Sequence, residues 1–193
     1  MDKKQLRKLI RENPVDSQYL KKASTVIQKK TMELPEYILG QRIFCYVSMD
    51  TEVSTDLIIE DSLKNREVYV PKCYGNGIMK AVRIRSLSDL QKGSYGIMEP
   101  VCDSETSDEF DLMIIPCMAA GKNGERLGHG AGYYDRFLKG SKGKKICLCC
   151  SENIRDDIEM DDNDIFMDIV VSENAVKSFL QQVFSLVQNP INE

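Results

Sequence analysis

Apolar and polar positions alternate along this chain with two different periods. "KKQLRKLIRE" (3–12) places Leu6, Leu9 and Ile10 on one stripe, with Asp2 ready to cap a helix ended by Asn13-Pro14. Leu20, Ala23, Val26, Ile27 and Met32 recur at helical spacing, so a second helix should run from an Asp16 or Ser17 cap to about Leu34. "RIFCYVS" (42–48) and "EVYVPK" (67–72) are rich in β-formers and read as strands flanking a capped helix over 54–65. "GIMKAVRIRS" (77–86) alternates as a half-exposed strand does. "DLMIIPCMA" (111–119) is almost wholly apolar, as a strand buried on both faces would be. Two more strands are expected at 144–150 and 168–172. A helix is expected over Tyr133–Lys139, and a last one capped by Ser172 with Val176, Phe179, Val183, Phe184 and Val187 on one face. Segments 94–100 and 102–111 read as loop and exposed acidic connection. Strands alternating with helices predict an α/β layered fold with a mostly parallel sheet.

The chain has 193 residues, enough for one domain spanning 1–193. A net charge of −4 argues against a general nucleic-acid binder. No apolar run reaches the roughly 18 residues that cross a membrane, and "MDKKQLRKLIREN" lacks a signal-peptide core. The short stripe on that first helix suits contact with its own domain better than a membrane anchor. Cysteine is present seven times, often in apolar runs. An odd number in a chain of this length implies a reducing, cytoplasmic location. Cys147, Cys149 and Cys150 fit no zinc spacing and read as buried strand residues.

The candidate chemistry lies in "RLGHGAGYYDRFL" (126–138), between strand 111–119 and helix 133–139. In parallel α/β sheets, ligands sit beyond the carboxyl ends of the strands. Gly128, Gly130 and Gly132 let backbone approach a phosphate, and free N–H groups of such a loop make an anion site. Arg126 and Arg136 add charged donors, while Tyr133 and Tyr134 offer flat faces. Asp135 belongs beside an anion only if a cation lies between them, and Mg2+ held by an acid and phosphate oxygens meets that condition. The spacing is neither a Walker A loop nor a GxGxxG fingerprint.

"GERLGHGAGYYDRFL" resembles the signature of the 5-formyltetrahydrofolate cyclo-ligase family, also called 5,10-methenyltetrahydrofolate synthetases. "KKQLR" (3–7), "YVSMDTEVST" (46–55), "GSYGIMEP" (93–100), "DLMIIPCMA" and "NDIFMDIVVSE" (163–173) resemble further elements of that family, in order, across nearly the whole chain. The resemblance implies a three-layer α/β/α Rossmann-like fold. It implies cytoplasmic one-carbon folate chemistry, in which ATP and Mg2+ drive the closure of 5-formyltetrahydrofolate to the 5,10-methenyl form with release of ADP and phosphate. In that reaction the formyl oxygen attacks the γ-phosphate, and N10 then closes the ring of an iminium phosphate. The protein's part is to hold both substrates in line and neutralise the moving charge.

Carried onto this sequence, the resemblance assigns ATP to Lys3, Lys4, Gln5, Leu6 and Arg7 on the first helix, and to Arg126, Leu127, Gly128, His129, Gly130, Ala131, Gly132, Tyr133 and Tyr134. Lys3, Arg126 and Tyr133 stand nearest the chemistry. Glu52 is the folate-side acid, with Val47 and Tyr95 lining the pterin or aminobenzoyl pocket and the stretch His129–Tyr133 lying where the two substrates meet. Asp135 and Asp164 are the expected Mg2+ ligands, with Asp161, Asp162 and Asp168 competing for the second place. Two departures stand out. Ala120-Gly121 replaces a usual Phe-Asp pair, removing an aromatic wall and an acid. His129 occupies a position often filled by Arg, Lys or an aromatic residue. An ATP-dependent enzyme with a different acceptor, and a binding module without turnover, are the competing readings. A monomer or weak dimer is expected.

Overall fold

The computed structural model describes residues 1–93, 96–103 and 105–179. In chain order the helices are α1 (Lys3–Glu12), α2 (Ser17–Met32), α3 (Pro35–Leu39), α4 (Asp56–Ser62) and α5 (Tyr133–Leu138). The strands are β1 (Arg42–Cys45), β2 (Glu67–Cys73), β3 (Met79–Ile84), β4 (Leu90–Lys92), β5 (Met98–Pro100), β6 (Thr106–Ser107) and β7 (Leu112–Ile115). They continue with β8 (Ala119–Gly121), β9 (Arg126–Leu127), β10 (Lys144–Leu148), β11 (Ile154–Arg155), β12 (Ile169–Val171) and β13 (Val176–Ser178).

The main sheet has the order β13-β12-β10-β7-β1-β2-β3-β6. Its middle, from β12 to β2, is parallel throughout, while β13, β3 and β6 add antiparallel pairs at the two sides. Each central strand sends alternate residues to opposite faces. Ile43, Val68, Leu112, Ile114 and Ile146 face one core with Leu20, Ala23 and Ile27 of α2 and Ile58 and Ile59 of α4. Phe44, Tyr69, Met113, Ile115 and Cys147 face the other, against Phe137 and Leu138 of α5. Both faces are therefore covered, as a parallel sheet requires, and the expected α/β/α layering is present.

Several elements depart from the sequence reading. The apolar run 111–119 does not form one strand. Pro116 has no N–H for a central ladder, so β7 stops at Ile115 and the chain re-enters a small sheet, β11-β8-β9. Segment 94–100 is not simply loop, because Met98–Pro100 pairs with Leu90–Lys92. Thr106–Ser107 likewise pairs with β3 inside the acidic connection. Helix 54–65 contracts to Asp56–Ser62. Val26 of the second helix is exposed rather than core. The last helix expected from Ser172 is replaced, in its described part, by β13, which pairs antiparallel with β12. Ser172 does bond three residues ahead, its Oγ accepting from Ala175 N–H at 3.0 Å, but that bond closes a turn. The free edge of β12 then offers the ladder that Val176–Ser178 takes. Val183, Phe184 and Val187 lie outside the described residues.

All seven cysteines are free, and Cys147, Cys149 and Cys150 are buried as expected. Among the described residues, no helix is long and apolar enough to cross a membrane. The stripe on α1 packs on its own chain: Leu6, 1% exposed, meets Met118, Ala119, Leu127 and Ile158. Leu9 stays partly exposed.

Candidate active site

A cavity of about 830 Å³ opens beyond the carboxyl ends of β1 and β7, within the range of ordinary small-molecule sites. It collects residues from α1, from the segments after β1, β7 and β9, from β2, β3 and β5, from α5, and from the turn 161–164. Of the residues expected at the site, Lys3, Arg7, Val47, Glu52, Arg126, Gly128, His129, Gly130, Ala131, Gly132, Tyr133, Tyr134, Asp135 and Asp164 line this one space.

The first wall is α1. Asp2 accepts from Gln5 N–H at 2.7 Å, and the Gln5 side chain accepts from Asp2 N–H at 3.3 Å, a closed capping box. Gln5 is thus spent on the helix start, Leu6 is core, and Lys4 is exposed. None of these three, expected beside ATP, lines the cavity. Lys3 and Arg7, four apart, do share the inward face. Lys3 Nζ lies 2.6 Å from Asp161 and also pairs with Asp164. Burial works against its ammonium, but hydrogen bonds to Asp161 and Asp164 outweigh burial and raise its pKa above the ordinary lysine value. Arg7 Nε donates to Gly128 O at 2.7 Å, which docks the helix on the glycine loop.

The second wall is the loop itself. The Arg126 side chain is 2% exposed. Its Nη1 donates to Pro116 O at 3.2 Å, the carbonyl freed where β7 breaks, and its Nη2 donates to Asp135 Oδ1 at 2.6 Å. Its Nε has no partner. The guanidinium carbon stands 5.8 Å from the Tyr134 ring centroid, inside cation–π range. A Cβ at Gly128 would come within 2.9 Å of Arg126 Nη1, so glycine there makes room for the cation. Gly130 and Gly132 have φ of 104° and 69°, the left-handed region. Leu127, in contrast, is fully buried beside Leu6 and is not at the cavity.

Arg136 does not aim a free fork at the cavity. Its Nη2 donates to Ala131 O at 2.8 Å and its Nε to Gly77 O at 3.1 Å, tying the loop to the tip of the β2–β3 hairpin. α5 has only six residues and starts from Gly132 in the left-handed conformation.

At the other end of the cavity, Glu52 is largely buried. Its Oε2 accepts from Met49 N–H at 2.9 Å, and its Oε1 lies 2.9 Å from His129 Nε2. The apolar wall comes from Val47, Pro71, Met79 and Ile97. Tyr95 lies outside the described residues. Glu99, 9% exposed, also faces the cavity, and a Cβ on Gly93 would clash with it. The "GIMEP" element had marked its position without giving it a role. Lys139 at the end of α5 and Cys73 and Met79 on the hairpin are further lining residues that no local pattern had singled out.

The acids separate cleanly. Asp135, Asp161 and Asp164 reach the cavity. Asp168 is 5% exposed and accepts from Lys145 N–H at 2.8 Å, a structural clamp on β10. Asp162 does not line the site. Among the described residues, no group of three or more His, Cys, Asp or Glu converges as a metal cage. Mg2+ characteristically takes only one or two carboxylates and completes its shell with waters and substrate phosphates. Asp135 and Asp164, two of the three aspartates at the cavity, stand beside Arg126 and Lys3 and fit that habit. The Ala120-Gly121 departure falls elsewhere: both residues are buried in β8 and pair with β9 and β11. The expected loss of an aromatic wall and an acid therefore does not fall on the lining of this cavity.

Residues 1–173 match the model of the 5-formyltetrahydrofolate cyclo-ligase family. The 5-formyltetrahydrofolate cyclo-ligase of Saccharomyces cerevisiae is 30% identical over 88% of this chain and 92% of its own. That of Mus musculus is 30% identical over 80% of this chain and 84% of its own. The NMR structure of Aquifex aeolicus 5,10-methenyltetrahydrofolate synthetase superposes with a TM-score of 0.82 at 29% identity, covering 100% of this chain and 97% of that one. The Mycoplasma pneumoniae synthetase shares the fold, with a TM-score of 0.71 at 23% identity over 90% of this chain and 99% of that one. With its ordered motifs gathered around one cavity and its whole described length matched, the chain belongs to the 5-formyltetrahydrofolate cyclo-ligase family.

Proposed function

We propose that this protein uses ATP to close 5-formyltetrahydrofolate to 5,10-methenyltetrahydrofolate, releasing ADP and phosphate. The observation that carries the reading is the polarity of a single cavity. Lys3, Arg7 and Arg126 gather with Asp135 and Asp164, while the buried Glu52 stands beside an apolar wall. A triphosphate suits the cationic set, and a flat ring bearing N–H donors suits the carboxylate and the wall.

The chemistry needs no protein nucleophile. The formyl oxygen forms a bond to the γ-phosphorus, and the bond from that phosphorus to the β,γ-bridging oxygen breaks, so that ADP leaves. N10 then bonds to the formyl carbon and loses its proton, and phosphate departs with the carbon–oxygen electron pair. Lys3, Arg7 and Arg126 bind the phosphates and spread the transferred charge. Tyr133 and the loop from Gly128 to Gly132 hold the triphosphate in line with the formyl group. Asp135 and Asp164 are the residues that would hold Mg2+, which when bound would neutralise phosphate oxygens. These same acids pair with Arg126 and Lys3, which holds the cations in place at the cavity.

The test is a mixing assay. Purified protein, ATP, Mg2+ and 5-formyltetrahydrofolate are combined and the near-ultraviolet absorbance of the methenyl product is followed. Product that depends on both ATP and Mg2+ is expected. Saturable MgATP binding with no product would overturn the folate reading and point to a different acceptor.

A further inference from the structure

His129 is the sole histidine of the chain, and it belongs to both halves of the cavity. Its backbone is part of the phosphate loop. Arg7 Nε holds the carbonyl of Gly128 at 2.7 Å, and Arg11 Nη2 holds that of His129 at 3.3 Å. Its side chain turns the other way, to Glu52 Oε1 at 2.9 Å. An ionised carboxylate only accepts, so Nε2 carries the proton and donates. The second oxygen of Glu52 is held by Met49 N–H. Each oxygen thus has one fixed donor, which sets the plane of the carboxylate and leaves further lone pairs for a ligand. The Glu52 side chain is 6% exposed, whereas the imidazole is 42% exposed. The carboxylate is therefore the enclosed member of the pair, and the imidazole is the one that can move with its loop.

We infer that His129 is a positioning residue that fixes the Glu52 carboxylate to the phosphate loop, so that nucleotide and formyl-folate binding are coupled through this hydrogen bond. The inference rests on the reading of the cavity given under Proposed function. Phosphate held by the loop sets the backbone at 128–130. The backbone sets the imidazole, and the imidazole sets the acid that meets the folate ring. By linkage the coupling is reciprocal: the folate must tighten nucleotide binding by the same factor.

The experiment measures 5-formyltetrahydrofolate binding by calorimetry, with and without Mg2+ and a non-hydrolysable ATP analogue. In the unaltered protein the nucleotide should tighten the folate by about five- to tenfold. In His129→Ala that ratio should fall to about one, since the donor that transmits it is gone. His129→Gln, whose amide N–H can take the place of Nε2–H, should restore most of it. A ratio in His129→Ala equal to that of the unaltered protein overturns the inference, as does a Gln variant that fails like Ala while circular dichroism shows both folded. A second readout is independent of turnover. With one histidine, the imidazole nitrogen resonances need no assignment, and the Nε2 signal should move in Glu52→Gln and again on folate binding. An unmoved signal overturns the contact. The mixing assay separates the two readings: product with intact coupling in His129→Ala sinks only this inference, whereas no product from the unaltered protein sinks both.

Discussion

The Asp135 carboxylate sits 2.6 Å from the Arg126 guanidinium, and Arg126 is almost fully enclosed while its Nε has no partner. The pair is a structural contact, and on the proposed reading it also supplies opposite charges for MgATP. Asp135→Asn keeps the shape and removes the charge. It should lower stability by about 2 kcal/mol, because a buried guanidinium loses its counter-charge. It should also weaken ATP binding in Mg2+ while strengthening binding of metal-free ATP, whose phosphates no longer face an acid. Calorimetric titration of ATP with and without Mg2+ reads both. Unchanged affinities in both conditions would remove Asp135 from any metal role.

On the proposed reading Glu52 and the cations Lys3, Arg7 and Arg126 serve different ends of the cavity, so their variants should separate kinetically. Glu52→Ala should raise the KM for 5-formyltetrahydrofolate by about tenfold or more, the scale of a lost hydrogen bond to a charged group, and the KM for ATP by much less when it is taken at low folate, where the coupling through His129 does not act. Arg126→Ala should show its main loss in kcat, with little in folate KM. Steady-state kinetics with each substrate varied in turn decides this. A larger effect of Glu52→Ala on ATP would take Glu52 off the folate side.

Gly130 holds φ of 104° beside Arg7, whose guanidinium would stand 3.4 Å from an added Cβ. Space is tight but present, so backbone conformation dominates. Gly130→Ala should cost about 1–3 kcal/mol and pull the loop out of shape. A melting temperature lowered by several degrees should accompany a larger proportional loss of kcat/KM. Full activity in a folded Gly130→Ala protein would mean that the loop backbone need not hold this conformation.

Leu6 places Lys3 and Arg7. Leu6→Ala should destabilise by about 3 kcal/mol, as buried leucine truncations do, through the cluster that seats α1. Hydrogen exchange should quicken selectively in α1, and MgATP affinity should fall, although Leu6 itself faces away from the cavity. Uniform quickening across the sheet would contradict this local role.

Asp111 supplies a pH test. Backbone N–H groups of Arg42 and Gln41 donate to its Oδ2 at 2.9 and 2.8 Å, and these bonds hold its carboxyl below the usual range. A depressed folded pKa gives stability that is present above the unfolded value, about 3.9, and lost as pH falls through the folded one. Asp111→Ala should therefore be less stable than the unaltered protein at neutral pH, and the two should converge under acid. Denaturant melts at several pH values check the convergence. A constant difference would sever the link to ionisation.

Where local periodicity had one solution, the sequence was enough. The apolar run 111–119 reads as a doubly covered strand, and its first part, Leu112–Ile115, is one; Gly130 and Gly132 near Arg126 read as an exposed polar loop. It determined the layered α/β class, the capping of α1 by Asp2, and the ordered elements by which the family is recognised. Tertiary structure decided whatever depended on a distant partner. Ser172 opened a turn into an edge strand because β12 offered an unpaired ladder, which no nearby residue signals. Pro116 split an apolar run and freed a carbonyl for Arg126. Arg136 went to backbone carbonyls on the loop and a hairpin 59 residues away, and Leu6 and Leu127 went into the core. The pairing of Glu52 with His129, 77 residues apart, needed the sheet to bring two loop ends together. Local spacing fixes the period and face of an element, but only chain topology fixes what that face meets.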